Sequence, residues 1–247
     1  MMSAFFWGVV STCSLILGGI IALRYTLSHR ALGVIMAFGA GALISAVAYE
    51  LIGDAISIAR GTGFPMMGLF GGALTYYVCD KLVATVGPSN HHEIAPSGQS
   101  SLLIPMVLAI ILDGVPESIV IGLGIFKGGA VSPAMLVAVF LSNLPEAIAG
   151  TIGMKASGWS KLKIITLWVV IVLVCALSTV ACSTLFSAVS VRWLAFIQAF
   201  AGGAILLMLA NSMMPEAYEH GGKLAGIFTV LGFFVAVAII ILESMHE

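Results

Sequence analysis

Two short stretches of this sequence each join a proline to a glutamate: Asp113-Gly-Val-Pro-Glu-Ser-Ile-Val and, 29 positions later, Ser142-Asn-Leu-Pro-Glu-Ala-Ile-Ala. In each, an oxygen-bearing side chain precedes the glutamate by four residues, Asp113 before Glu117 and Ser142 before Glu146. On a helix that spacing sets both on one face. The prolines free further oxygens, because Pro116 and Pro145 have no amide hydrogen to give to the carbonyls of Leu112 and Leu141. Two such faces meeting across a helix pair would form a cage of oxygens, which is chemistry suited to a cation.

The elements that must position these residues are membrane helices. Of the 247 residues 60% are hydrophobic and 9% charged, with a mean hydropathy of +1.15. Soluble chains carry roughly 25% charged residues. A hydrocarbon core about 30 Å thick needs roughly 20 apolar residues per helical crossing. The apolar stretches predict eight spans, at about 3–24, 31–56, 64–86, 101–126, 131–153, 163–187, 192–214 and 223–243, in a single transmembrane domain covering 1–247. No segment shows the alternating pattern of a barrel strand, so the fold class expected is all-α and polytopic. The first apolar run lacks a positive leader and is too long for a signal-peptide core, so it is read as a span.

The two Pro-Glu segments fall on adjacent spans, four and five, which cross in opposite directions and are therefore related by inverted topology. A weaker repeat, offset by 162 positions, links Phe38-Gly-Ala-Gly-Ala-Leu through Gly53-Asp-Ala in span two with Phe200-Ala-Gly-Gly-Ala-Ile through Pro215-Glu-Ala in span seven. Together these give a 3+2+3 arrangement with inverted repeats. Glu117 and Glu146 then lie near the midplane, where an ionised carboxylate costs about 2.5–3.5 kcal/mol on the insertion scale. No lysine or arginine stands at that depth. Three acids without a basic partner require protons or a bound cation. A divalent ion satisfies all three together, while protonated acids bonded between helices are the other solution.

Spans four and five resemble the helix-breaking pair of the ZIP (Zrt- and Irt-like) family of divalent-metal transporters. There span four typically reads His-Asn-x-Pro-Glu-Gly, where this chain has Asp113-Gly114-Val115-Pro116-Glu117-Ser118. The span-five motif corresponds to Ser142-Asn143-Leu144-Pro145-Glu146-Ala147. The resemblance covers most of the chain, and it implies a metal site on Asp113, Glu117, Ser142 and Glu146. Gly114 and Asn143 stand at positions that in some members help to hold a second metal. Asp113 replaces the usual histidine, Gly114 removes a ligand, and span six has no acid. What remains is one oxygen-rich site without histidine or thiolate, which favours Mn²⁺, Mg²⁺ or Fe²⁺ over Zn²⁺ on ligand softness. The function implied is uptake of a divalent metal ion into the cytoplasm, with that ion as substrate, no cofactor, the lipid bilayer as surroundings and a homodimer as a compatible assembly. A proton-linked or monovalent-cation carrier on the same fold is the alternative, and a non-transporting membrane partner a further one.

Seven basic residues, Arg24, Arg30, Lys81, Lys155, Lys161, Lys163 and Lys223, fall in the odd-numbered loops, against Arg60, Lys127 and Arg192 on the other side. The positive-inside rule then sets both termini outside the cytoplasm. Span two delivers Glu50 and Asp54 near its external end, and span seven delivers Glu216, Glu219 and His220 near the cytoplasm. Entrance and exit of a path is one reading of these residues, and solvated helix ends is the other. The loop from Gly87 to Ser100 holds His91, His92 and Glu93, for which sampling of metal ions is one reading and a solvated polar loop without ligand function the preferred one.

Other classes find no support. A net charge of −1 with no basic stripe excludes nucleic acid as a partner. There is no HExxH, no GxSxG and no nucleophile beside a histidine, so no enzyme is expected. The four cysteines lie singly in apolar segments and read as small membrane-buried side chains. Paired glycines such as Gly71-Gly72 and Gly202-Gly203 read as helix-packing sites, and most of the twelve methionines as apolar filler. Short loops and compact length suit a bacterial inner membrane.

Overall fold

The structure, a computed structural model, describes residues 1–86, 103–126, 131–185 and 189–245. The loop residues His91, His92 and Glu93, together with Lys127, Gly128 and Gly129, lie outside the described residues. Among those described there are eight long helices and no strand. They are α1 (Met2–Arg24), α2 (His29–Ile58), α3 (Phe64–Val86), α4 (Leu103–Phe126), α5 (Pro133–Ala156), α6 (Lys161–Leu185), α7 (Val191–Gly221) and α8 (Lys223–Ser244). Seven of the eight are long and apolar enough to cross a membrane, and the chain is an all-α integral membrane protein. The exception is α3, whose 23 residues suffice in length, but Tyr76, Tyr77, Asp80 and Lys81 lower its hydropathy.

Local signals start and stop these helices. Ser28 caps α2 by accepting the Ala31 amide at 3.2 Å, and Ser132 caps α5 by accepting the Met135 amide at 3.3 Å, with Pro133 at the first helical position. The expected end of span seven at 214 is passed, and α7 continues to Gly221. Its last stretch, Pro-Glu-Ala-Tyr-Glu-His-Gly, is polar enough to fall outside a hydropathy window yet continues as helix, until Gly222 turns the chain at φ 58°.

Two helices are interrupted in the same way. α2 passes through a π-helical turn at Val47–Gly53 and α7 through one at Leu209–Met213, and the two begin 162 residues apart, the offset of the weaker repeat. An inserted residue of this kind leaves a gap in the hydrogen-bond ladder and re-aims the side chains beyond it.

Helix contacts come in matching pairs. α8 lies along α2 as α3 lies along α7, and α1 packs on α5 as α6 packs on α4. At the first two crossings glycine brings backbones together: Gly41 meets the Thr229 carbonyl and Gly232 that of Phe38, while Gly203 meets the Leu69 carbonyl and Gly72 that of Phe200. A side chain at any of the four would strike a backbone oxygen, so the helices could not approach so closely. Between them α2, α5 and α7 bury the main core, with Met36, Leu43, Val139 and Ile205 at its centre. A second cluster gathers around Trp168 of α6, whose indole nitrogen donates to Thr151 Oγ1 at 2.8 Å.

Candidate cation site

Pro116 and Pro145 both stand inside uninterrupted helices, α4 and α5. α4 and α5 face each other there, and the buried polar side chains of the molecule concentrate between them. Asp113 is 4% exposed, Glu117 3%, Ser142 1%, Asn143 3% and Glu146 6%. Glu117 is the hinge of the group. Its Oε1 accepts from Ser142 Oγ at 3.0 Å and its Oε2 from Asn143 Nδ2 at 2.9 Å, so one carboxylate of α4 binds two successive residues of α5. Glu146 completes the face one turn along α5, and its Oε1 is buried without a hydrogen-bond partner.

Asp113 is held from another direction. Tyr76 of α3, itself buried, donates its hydroxyl to Asp113 Oδ1 at 2.5 Å. The same hydroxyl lies within bonding reach of Ser212 in the π-turn of α7, and Asp80 adds negative charge one turn further along α3. Glu146 lies within electrostatic range of Asp113, Glu117 and Glu216.

The five central residues named from sequence are thus brought together, but not into a tight cage. Among the described residues no three His, Cys, Asp or Glu side chains converge closely enough to hold one metal ion. A coordination shell at this place would draw on the Ser142 hydroxyl, the Asn143 amide oxygen and the unpartnered Glu146 oxygen beside the acids, all hard donors. The carbonyl of Leu141, freed by Pro145, lies close to Gly39 on α2.

A thiol also enters. Cys175 of α6 is buried, bonds with Ser118, fills the space over Gly114, and lies within electrostatic range of Glu117 and Glu146. Cys175 is thus a buried thiol beside the acids, in keeping with the reading of the cysteines as small membrane-buried side chains. α6 packs along α4, which carries the sulfur to the acids although 58 residues separate Cys175 from Glu117.

The residues read as two mouths separate as their helices do. Glu50 and Asp54 line a cavity of about 410 Å³ whose walls include Val120 of α4, three residues on from Glu117. Ser132 Oγ donates to Glu50 Oε1 at 2.6 Å and lies 3.4 Å from Oε2 of Glu243, near the end of α8. At the other end Glu216 and His220 sit 3.7 Å apart, with the His220 ring 5.2 Å from that of His29. Glu219 is exposed and takes no part in that contact.

Tyr76, Cys175, Gln198, Glu243 and His29 join these groups without a sequence motif to mark them. Each lies on a helix remote in sequence from the Pro-Glu motifs. A polar residue in an apolar run, as Gln198 is, is the one visible signal. No protein-family model matches the chain, and no curated protein matches it.

Proposed function

We propose that this protein is a ZIP-like transporter that moves a divalent metal ion into the cytoplasm through the carboxylate-rich centre on α4 and α5. One observation carries the reading. Asp113, Glu117 and Glu146 are buried together, while the described Lys and Arg residues all stand in the first or last two turns of a helix or between helices. Buried acids without a basic partner call for positive charge from outside the chain, and a cation with hard-ligand preference suits them.

On this reading α3 is the eighth span, its polar residues accommodated because Tyr76 faces the acids rather than lipid. The matched contacts of α1–α3 and α6–α8 around the α4–α5 pair support a 3+2+3 arrangement with inverted repeats. Such repeats allow the same site to be exposed first to one side and then to the other. The basic residues set the termini outside, in a bacterial inner membrane, and the family resemblance suggests a homodimer. Transport needs no covalent chemistry. The ion is captured beside Glu50 and Asp54, exchanged among Asp113, Glu117, Ser142, Asn143 and Glu146, and released past Glu216, Glu219 and His220.

The test is uptake by proteoliposomes of Mn²⁺, Fe²⁺, Zn²⁺, Cd²⁺ and Mg²⁺ in turn. Uptake of at least one, falling as the external medium is acidified because protons compete for the carboxylates, is the expected result. No uptake of any divalent ion by folded protein would reject the reading.

One observation favours a second reading, a proton-linked or monovalent-cation carrier. Both oxygens of Glu117 and one of Asp113 already have neutral partners, and among the described residues no three acidic, thiol or imidazole groups converge. Calorimetry of divalent-ion binding against Na⁺ separates the two. Binding displaced by millimolar Na⁺ would favour the second.

A further inference from the structure

The cavity beside Glu50 is built from more than an acidic surface. Glu50 and Asp54 come from α2, Glu243 from α8, Ser132 from the cap of α5, and Gln198 from α7. Gln198 is 3% exposed, lines this cavity, and has a buried Oε1 with no hydrogen-bond partner. An amide oxygen left unmet in an apolar helix is costly and calls for a donor or a positive charge. The 162-residue repeat sharpens the point: the position matching Gln198 is Met36, fully buried in the apolar core. The polar group thus belongs to this mouth and not to the fold in general.

The spacing says what form of ligand fits. Glu50 and Glu243 are held on either side of the Ser132 hydroxyl, at 2.6 and 3.4 Å. No three acidic groups converge for direct ligation among the described residues, yet a space of about 410 Å³ lies between them. That combination matches a cation that keeps its waters, which donate outward to carboxylates and to an amide oxygen.

We propose that this cavity binds a hydrated divalent cation, held through its water shell by Glu50, Asp54 and Glu243 and by the Gln198 amide oxygen. Strongly hydrated ions of the Mg²⁺ and Mn²⁺ class are its ligands. Ser132 bridges the two glutamates through its hydroxyl, which fixes their spacing. The site takes its role as a receiving station from the transporter reading, whereas binding itself does not depend on transport.

The experiment uses hexaamminecobalt(III), which has the shape and outward-facing donors of a hydrated metal ion and does not exchange its ligands. Its equilibrium binding is measured on the full chain in lipid nanodiscs. Saturable binding is expected, weakened about tenfold or more in Glu50→Gln and in Glu243→Gln, since each removes a charge from a partly buried site. Gln198→Met, which copies the repeat-related residue and keeps the volume, is expected to weaken it several-fold without loss of fold. Glu117→Gln is expected to retain it. Folding of every variant is checked by monodisperse elution and thermal unfolding. Binding indifferent to Glu50, Glu243 and Gln198, or no saturable binding to the folded wild type, overturns the proposal. If the probe binds as expected and no divalent ion is taken up, the transporter reading fails and the vestibule site stands.

Discussion

α2 and α7 both pass through a π-helical turn, at positions 162 apart, and then deliver an acid, Asp54 in one and Glu216 in the other. Their surroundings differ. Asp54 lines the cavity of about 410 Å³, whereas the last turns of α7 lie directly on the start of α2, where Gly33 meets the backbone of Gly221 and Ala217. The repeat-related position to Gly33 is Ala195, which packs with Ala55, Ala59 and Ala199 at the other mouth. Alanine there packs methyl to methyl where glycine lets backbones touch. The same local device thus leads to different surroundings, a cavity beside Asp54 and a close helix contact at the end of α7 that carries Glu216.

The largest expected effect comes from forcing the close α2–α7 contact apart. Gly33→Val would place a branched side chain against the Gly221 amide, and a loss of about 1–3 kcal/mol by overpacking is expected in thermal unfolding of the purified protein. Ala195→Gly at the matching position is expected to cost about 1–2 kcal/mol, the penalty of glycine in a helix together with one lost buried methyl group. A smaller loss for Gly33→Val than for Ala195→Gly would show that the close contact at Gly33 tolerates a side chain.

The acids at the two ends should separate kinetically. Asp54→Ala is expected to raise the metal concentration for half-maximal uptake by about tenfold, because capture precedes the centre, with little change in maximal rate. Glu216→Ala should lower the maximal rate instead, by a similar factor, since Glu216 lies beyond Glu146 on the way out. Unchanged uptake at limiting metal in both variants would remove both residues from the path. A smaller effect, about threefold on apparent affinity, is expected for Tyr76→Phe, which removes the hydroxyl held to Asp113 while keeping the ring. No change would confine Tyr76 to packing.

Much of this architecture is legible in the sequence. Long apolar runs mark the helices, and the Pro-Glu pairs mark α4 and α5 as the place where polar side chains meet, because a carboxylate in an apolar helix is costly and turns toward the bundle interior to find a partner. The offset of 162 is visible through its glycines, but not its consequence, the paired π-turns, since π insertions have no sequence signature as firm as proline. The partners of the acids are hidden for a topological reason. Tyr76 reaches Asp113 across 37 residues, and Glu243 reaches Ser132 across 111, through contacts that only the packed bundle creates. Glu219 directly precedes His220, about 100° around the helix from it, and is exposed rather than part of the Glu216–His220 contact.

The most direct measurement is uptake of the preferred divalent ion by proteoliposomes holding equal amounts of wild type, Glu117→Gln and Glu146→Gln, each verified as folded. Glu117 ties α4 to α5 through Ser142 and Asn143, and Glu146 carries the unpartnered oxygen beside it. Loss of uptake by about 100-fold or more in either variant is the expected result, since each removes a charged donor from the only route proposed for the ion. Uptake at the wild-type rate in both would contradict a path through the α4–α5 carboxylates.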